Sequence, residues 1–282
     1  MSGVPLGPSV LASLYAAELP QKDQLCGAFW GSLALRAFGF LEASGESVDQ
    51  DAVAREAGTA LAGGDPAQWV PPGASPRGDH RLAFPAASDE ASGSASTGVS
   101  RAIDVLSGGA LRAVPVAGHW DAARVVVLLR ELEGLGEAVV PIANVRTASF
   151  WGSHADPGLL LDVLAGRAVT EPPPPDWDVG HFVGLALLVE GPGGALVGVR
   201  DTYEALGAGG YHLQPADALA GALRRGDGKE GGVLCVVAAA EANRLEARLH
   251  ELGFEVRAWD NGSVPVYAGG GGAEASAVAA PT

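Results

Sequence analysis

Two residues of this chain carry thiols, Cys26 and Cys235, and their surroundings differ. Cys26 lies in QKDQLCGAFWGSLALRAFG (21–39), immediately ahead of a run dense in bulky apolar residues that reads as a buried helix. The thiol therefore heads a helix, where unpaired backbone N–H groups and the helix dipole favour a thiolate over a thiol. Gly27 beside it would let a substrate carbonyl approach closely, and the Cys26 N–H could donate to a developing oxyanion. A second donor is typically a side-chain amide, and both Gln21 and Gln24 lie just upstream. Cys235, inside VLCVVAA, reads as a small core hydrophobe.

A sulfur nucleophile needs an imidazole to take its proton, and the imidazole needs an acceptor that fixes its tautomer. GHFVGLALLVE (180–190) and ALVGVRD (195–201) read as two apolar strands joined at GPGG (191–194), a turn signal, so they form an antiparallel hairpin. His181 opens the first strand and Asp201 closes the second. Both fall at the open end of the hairpin, on strands about 4.8 Å apart, within a residue or two of register.

Further polar candidates cluster in NVRTASFWGSHAD (144–156), where Asn144, Arg146, Trp151, His154 and Asp156 follow a strand. They are placed either on a cleft wall or in a surface turn with Trp151 packed on the core. His154 and Asp156 lack the partners of a metal site, and GAGG lacks the strand and Lys context of a phosphate loop. No metal or organic cofactor is expected.

The elements that must position these residues follow from the same reading. GPSVLASLYAAEL (7–19) is a short helix that stops at Pro20, 27–43 is the buried helix behind Cys26, and SVDQDAVAREAG (47–58) is a third helix closed by Gly58. Residues 62–98, rich in Gly, Pro, Ala and Ser without period, form a long loop or lid. ALRAVPVAG (110–118), WDAARVVVLLRELEGLG (120–136) and EAVVPIANV (137–145) give strand, helix and strand. The proline run EPPPPDWD (171–178) delivers the chain into the hairpin, and a helix follows at 215–225. Residues 226–268 read as a small βαβ addition ending in a strand pair around Asn261-Gly262, and 269–282 as a disordered tail.

A chain of 282 residues can bury a full core, and no oligomer is needed for it to fold; its oligomeric state is not legible. With 33 acidic against 18 basic residues, the formal charge of −15 argues against nucleic acid and anionic membrane surfaces as partners. The start has no basic leader region and no apolar run is long enough to span a bilayer, so a cytoplasmic protein is expected. The Ala, Gly, Val and Arg bias is that of a GC-rich bacterial genome.

The Gln, Cys-Gly-x-x-Trp pattern of QKDQLCGAFW resembles the nucleophile region of papain-like cysteine peptidases. GHFVGLALLV and ALVGVRDTY resemble the His and Asp strands of the bacteriocin (double-glycine) leader-peptidase branch of that superfamily, in the same chain order. The resemblance covers roughly 18–60 and 137–223. It implies an α+β, papain-like fold for residues 1–225, with an N-terminal helical part carrying the Cys packed on an antiparallel sheet carrying the His and Asp. The small α/β addition would follow.

By the same resemblance Cys26 is the nucleophile, His181 the base and acid, Asp201 the orienting carboxylate and Gln21 the oxyanion donor. Gln21 stands five residues before Cys26 where the family usually has six, so Gln24 stays in contention. Gly27, Trp30, Asn144, Trp151 and Gly180 are the expected substrate-binding residues. The implied activity is a thiol hydrolase cleaving a peptide or amide bond. Two alternatives use the same cleft: an acyltransferase or amide-forming enzyme with the same triad, and a binding module without chemistry.

Overall fold

The computed structural model describes residues 5–267. The chain opens with helix α1 (Leu11–Glu18), then α2 (Cys26–Ala37), in which Gly27 through Leu35 are all buried. A helix apolar on every side must be wrapped by other elements. A two-residue hairpin, β1 (Glu42–Ala43) with β2 (Glu46–Ser47), leads to α3 (Gln50–Ala57). Asp49 caps α3 by accepting from Ala52 N at 2.8 Å, and Gly58 closes it at φ 66°. Strand β3 (Leu61–Ala62) pairs in parallel with β4 (Ala86–Ala87), and α4 (Ser96–Leu106) crosses α3 so closely that a Cβ on Gly98 would lie 2.2 Å from Ala57 O.

The rest of the chain builds one sheet: β5 (Leu111–Ala117), α5 (Ala122–Glu133), β6 (Val140–Arg146), α6 (Pro157–Ala165), β7 (Gly180–Glu190), β8 (Ala195–Arg200), β9 (Tyr211–Pro215), α7 (Ala216–Arg224), β10 (Gly232–Ala238), α8 (Ala239–Glu251) and β11 (Glu255–Val256). Its seven strands run β11-β5-β10-β6-β7-β8-β9, with every neighbouring pair antiparallel. Alternate residues of the central strands β5, β10, β6 and β7 enter two separate cores. Ala143, Val145, Val233 and Cys235 pack with α5, α7 and α8 on one face. Ile142, Phe182 and Leu234 pack with α1 to α4 on the other. The fold is mixed α/β in three layers, with the Cys26 helix in the layer that covers β7.

The sheet overturns the expectation of a separate addition at 226–268. Strand β10 inserts between β5 and β6, where Leu234 pairs with Pro115 on one side and Ile142 on the other. A strand apolar on both faces, as VLCVVA is, belongs in the middle of a covered sheet rather than at the edge of a small one. The hairpin expected at Asn261-Gly262 also does not form. Trp259 is buried instead, and the chain runs on along the helical layer, with Val264 N donating to Ala91 O at 3.0 Å and Val266 N to Gly58 O at 2.7 Å. The tail at 269–282 lies outside the described residues.

The long excursion at 62–98 is pinned at its middle rather than free to swing. Asp51, fully buried, pairs with Lys22 and accepts from Arg81 N at 2.7 Å and Leu82 N at 3.2 Å. Arg77 N donates to Asp23 Oδ1 at 2.8 Å, and Asp23 N returns a bond to Arg77 O at 2.9 Å. These contacts lock the loop to the turn that precedes Cys26. Among the described residues no helix is long and apolar enough to cross a membrane.

Candidate active site

A cleft of ≈ 310 Å³ opens where the start of α2 meets β7, lined among others by Gln21, Cys26, Ser94, Trp177, Gly180 and His181. Its size is that of a small-molecule or peptide-residue site. Cys26 is half-buried at the first position of α2, where its N–H has no acceptor within the helix. The approach of α2 to β7 depends on two glycines. A Cβ on Gly27 would lie 2.9 Å from Ser94 Cβ and 3.2 Å from Phe182 Cδ2, and one on Gly184 would lie 2.2 Å from Trp30 Cη2.

His181 and Asp201 meet because of a bulge in the hairpin. Near the turn, Leu187 pairs with Gly198, a register that, continued, would set Asp201 opposite Gly184 and on the other face from His181. A shift between Leu185 and Leu187 changes this to Gly184 with Arg200, which carries Asp201 to the position opposite Val183. Val183 shares a face with His181, so the two polar side chains become diagonal neighbours. One inserted residue turns the pair from opposite faces to the same one.

The contact is direct: His181 Nε2 lies 3.0 Å from Asp201 Oδ1, with both residues almost fully buried. Thr202 N donates to the same Oδ1 at 2.7 Å, and Tyr15 Oη, from α1, donates to Asp201 O at 2.6 Å. Burial opposes an imidazolium here, but the Asp201 charge and hydrogen bond, with a smaller contribution from the nearby Cys26, outweigh it and raise His181 to about 10. Burial likewise opposes the carboxylate, yet the charge and hydrogen bond of His181, with His212 facing the other oxygen, hold Asp201 well below the usual carboxylate range. With Nε2 committed to Asp201, the ring's Nδ1 is the nitrogen left for the Cys26 thiol.

The turns on either side of the cleft are tied together. Thr202 Oγ1 donates to Gln21 Oε1 at 2.6 Å and stands 3.3 Å from His181 Nε2, while Gln21 N donates to Thr202 O at 3.0 Å. Gln24, the other amide candidate, spends both ends on the backbone of Ala62, accepting at 2.6 Å and donating at 3.1 Å. Trp177 sets its ring edge-on to His181, with centroids 5.1 Å apart, and likewise to Tyr203 at 5.6 Å. The indole screens the imidazole on that side.

The structure brings Cys26, His181, Asp201 and Gln21 together, and puts Asn144 and Gly180 on the cleft wall. Asn144 is spent on the protein itself: its Nδ2 donates to His181 O at 3.2 Å and its Oδ1 accepts from the Trp259 indole Nε1 at 3.2 Å. Three expected substrate-binding residues lie elsewhere. Trp30 is completely buried, stacked on Tyr15 and over Gly184, because one helical turn beyond Cys26 the same face of α2 has passed from the cleft onto β7. Gly27 is buried, and its missing side chain makes room for Ser94 and Phe182 rather than for a substrate. Trp151 stands outside the cleft, its N and O gripped by Gln214. His154 bonds Ala205 O and Asp156 caps α6, so neither belongs to the site.

Sequence reading missed Thr202, Trp177 and His212. Thr202 follows Asp201 directly and Trp177 ends a rigid proline run that leads to His181, so position in the chain could have flagged both. As arranged, Cys26 and His181 line one cleft, and Asp201 holds the imidazole from behind. Comparison with curated proteins gave no match. A family model does match residues 5–260, spanning the helical layer, the cleft and the sheet through β11, and the chain belongs to that family, DUF6885, described as a family of unknown function.

Proposed function

We propose that the protein is a thiol hydrolase of papain-like type that cleaves a peptide or amide bond through an acyl-enzyme thioester. One observation carries this: a buried His181–Asp201 pair whose imidazole opens, together with the thiol at the head of α2, on one cleft. The Cys-bearing helix lying against an antiparallel sheet that bears the His and Asp supports the papain-like reading.

Cys26 Sγ gives its proton to His181 and attacks the substrate carbonyl carbon; the carbonyl π pair moves onto oxygen. Gln21 lines the cleft with its Oε1 held by Thr202, so the end it offers is the N–H₂ group. That group and the Cys26 N–H are the donors for the oxyanion. Collapse expels the amine, which takes the proton from His181 and leaves a thioester on Cys26. Water, deprotonated by His181, then attacks the thioester, releases the acid and restores the thiol. Every step uses groups of the chain and one water.

The test is a peptide pool incubated with the parent protein and with Cys26→Ala, followed by mass spectrometry of the peptides and of the intact protein. Cleavage by the parent alone, with an acyl adduct on Cys26 trapped by acid quench, is expected. Equal cleavage by both proteins would sink the proposal.

A further inference from the structure

Asp201 has a second histidine behind it. Oδ1 is shared by His181 Nε2 and Thr202 N, whereas Oδ2 faces His212 Nε2 at 3.7 Å, from the neighbouring strand β9. His212 is itself buried, edge-on to Phe150 with ring centroids 5.9 Å apart. Its protonation pattern can be read from its neighbours. Gln214, completely buried, accepts from Trp151 N at 2.7 Å through Oε1, so the other end of its amide must be the N–H₂ group. That group donates one hydrogen to Trp151 O at 2.8 Å and the other to His212 Nδ1 at 2.9 Å. An Nδ1 that accepts leaves the proton on Nε2, aimed at Asp201.

We infer that His212 is a positioning residue: a neutral Nε2–H imidazole, locked in that tautomer by Gln214, whose N–H faces the second oxygen of Asp201 at ion-pair rather than hydrogen-bond distance and so favours the carboxylate orientation that keeps the first oxygen on His181. The inference deepens the thiol-hydrolase reading and rests on it. A carboxylate in a buried site costs less when a polarised N–H faces each oxygen, and the N–H facing the second oxygen opposes a turn of the first away from the imidazole. His212 touches neither thiol nor substrate. It acts on His181 through Asp201, as outer-shell partners of a ligand do elsewhere, where their loss costs about 10- to 100-fold.

Two measurements test it. Long-range ¹H–¹⁵N correlation spectra of the ¹⁵N-labelled protein at neutral pH, with His212 assigned by the signal missing in His212→Gln, report which ring nitrogen is protonated. A protonated Nε2 and a bare Nδ1 are expected; the reverse overturns the inference whatever Cys26 does. The second readout is the rate of Cys26 alkylation by iodoacetamide against pH in the parent, His212→Leu and His212→Gln. Gln can present an amide N–H near the place of Nε2, so it should stay within about twofold of the parent while Leu loses about tenfold.

Equal losses in Leu and Gln would mean that His212 only fills space, and no loss in either would mean that it does nothing for the triad. Both results remove the role of His212 and leave the thiol site standing. A parent Cys26 that reacts no faster than an ordinary thiol removes the thiol reading, and the role of His212 with it.

Discussion

Replacing Gly184 by Ala tests the helix–strand contact on which the site depends. A Cβ built at Gly184 would stand 2.2, 2.5 and 2.6 Å from three ring carbons of Trp30, where carbon atoms normally sit about 3.5–4.0 Å apart. Strand and indole must separate by more than about 1 Å. The indole has nowhere to go: it is completely buried, stacked on Tyr15 with centroids 5.8 Å apart and set edge-on to Phe29 at 5.7 Å.

Overpacking of a rigid core costs about 1–3 kcal/mol, and the rigidity here places the cost near the top of that range. Ala also stiffens the unfolded chain, which returns about 0.4–1 kcal/mol. A net loss of about 2 kcal/mol should lower the urea midpoint by roughly 0.7 M at a slope of about 3 kcal/mol/M. The clashing atoms belong to the six-membered ring that Phe does not carry to the same place, so Gly184→Ala should cost at least about 1 kcal/mol less in a Trp30→Phe background.

The site should feel the change as well. Cys26 lies one helical turn before Trp30, His181 lies three residues before Gly184, and Tyr15, against which the indole would press, holds Asp201 O. Pushing α2 off β7 should therefore slow Cys26 alkylation. A Gly184→Ala protein within about 0.5 kcal/mol of the parent, or an equal cost in both backgrounds, would refute the close-packing explanation.

Two further outcomes follow from the triad. His181 is raised from 6.5 to about 10, so its contribution to stability is complete below about pH 6.5 and is lost as pH climbs to about 10. The unfolding free energy of the parent, from urea titrations, should fall across that window by at most about 1.4 kcal/mol per pH unit, and that of His181→Ala should lack that fall. Gln21→Ala should lower turnover of any peptide that the protein cleaves by about 10²-fold, the usual cost of one oxyanion donor, and leave Cys26 alkylation unchanged. Equal turnover would remove Gln21 from the oxyanion site.

The candidate site was legible where chemistry and local pattern coincide. Cys26 at the head of an apolar run, and His181 and Asp201 at the open end of a hairpin, are fixed by residue type and by short-range strand and helix signals. The bulge that puts the last two on one face was not legible, since nothing in GLALLVE marks which residue is extra. Trp30 was misplaced because a helix apolar all round gives no sign of how far along it the cleft reaches.

Strand β10 was misplaced for a related reason. A strand apolar on both faces declares that it is buried but not between which partners, and β5 and β6 lie far upstream in the chain. His212 carries no local signal at all. Its role depends on Gln214, and that of Gln214 on the backbone of Trp151, which only the folded chain brings near.

The most direct test of the thiol site is the rate of Cys26 alkylation by iodoacetamide against pH, read by peptide mass spectrometry in the parent and in His181→Ala. Cys235 serves as the internal control, since burial alone pushes its thiol up to about 12 and should keep it unreactive until the protein unfolds. A thiolate–imidazolium pair predicts fast alkylation of Cys26 that persists below about pH 6 and is lost in His181→Ala. Slow alkylation in both proteins, rising only near pH 8.5 as for a free thiol, would contradict it.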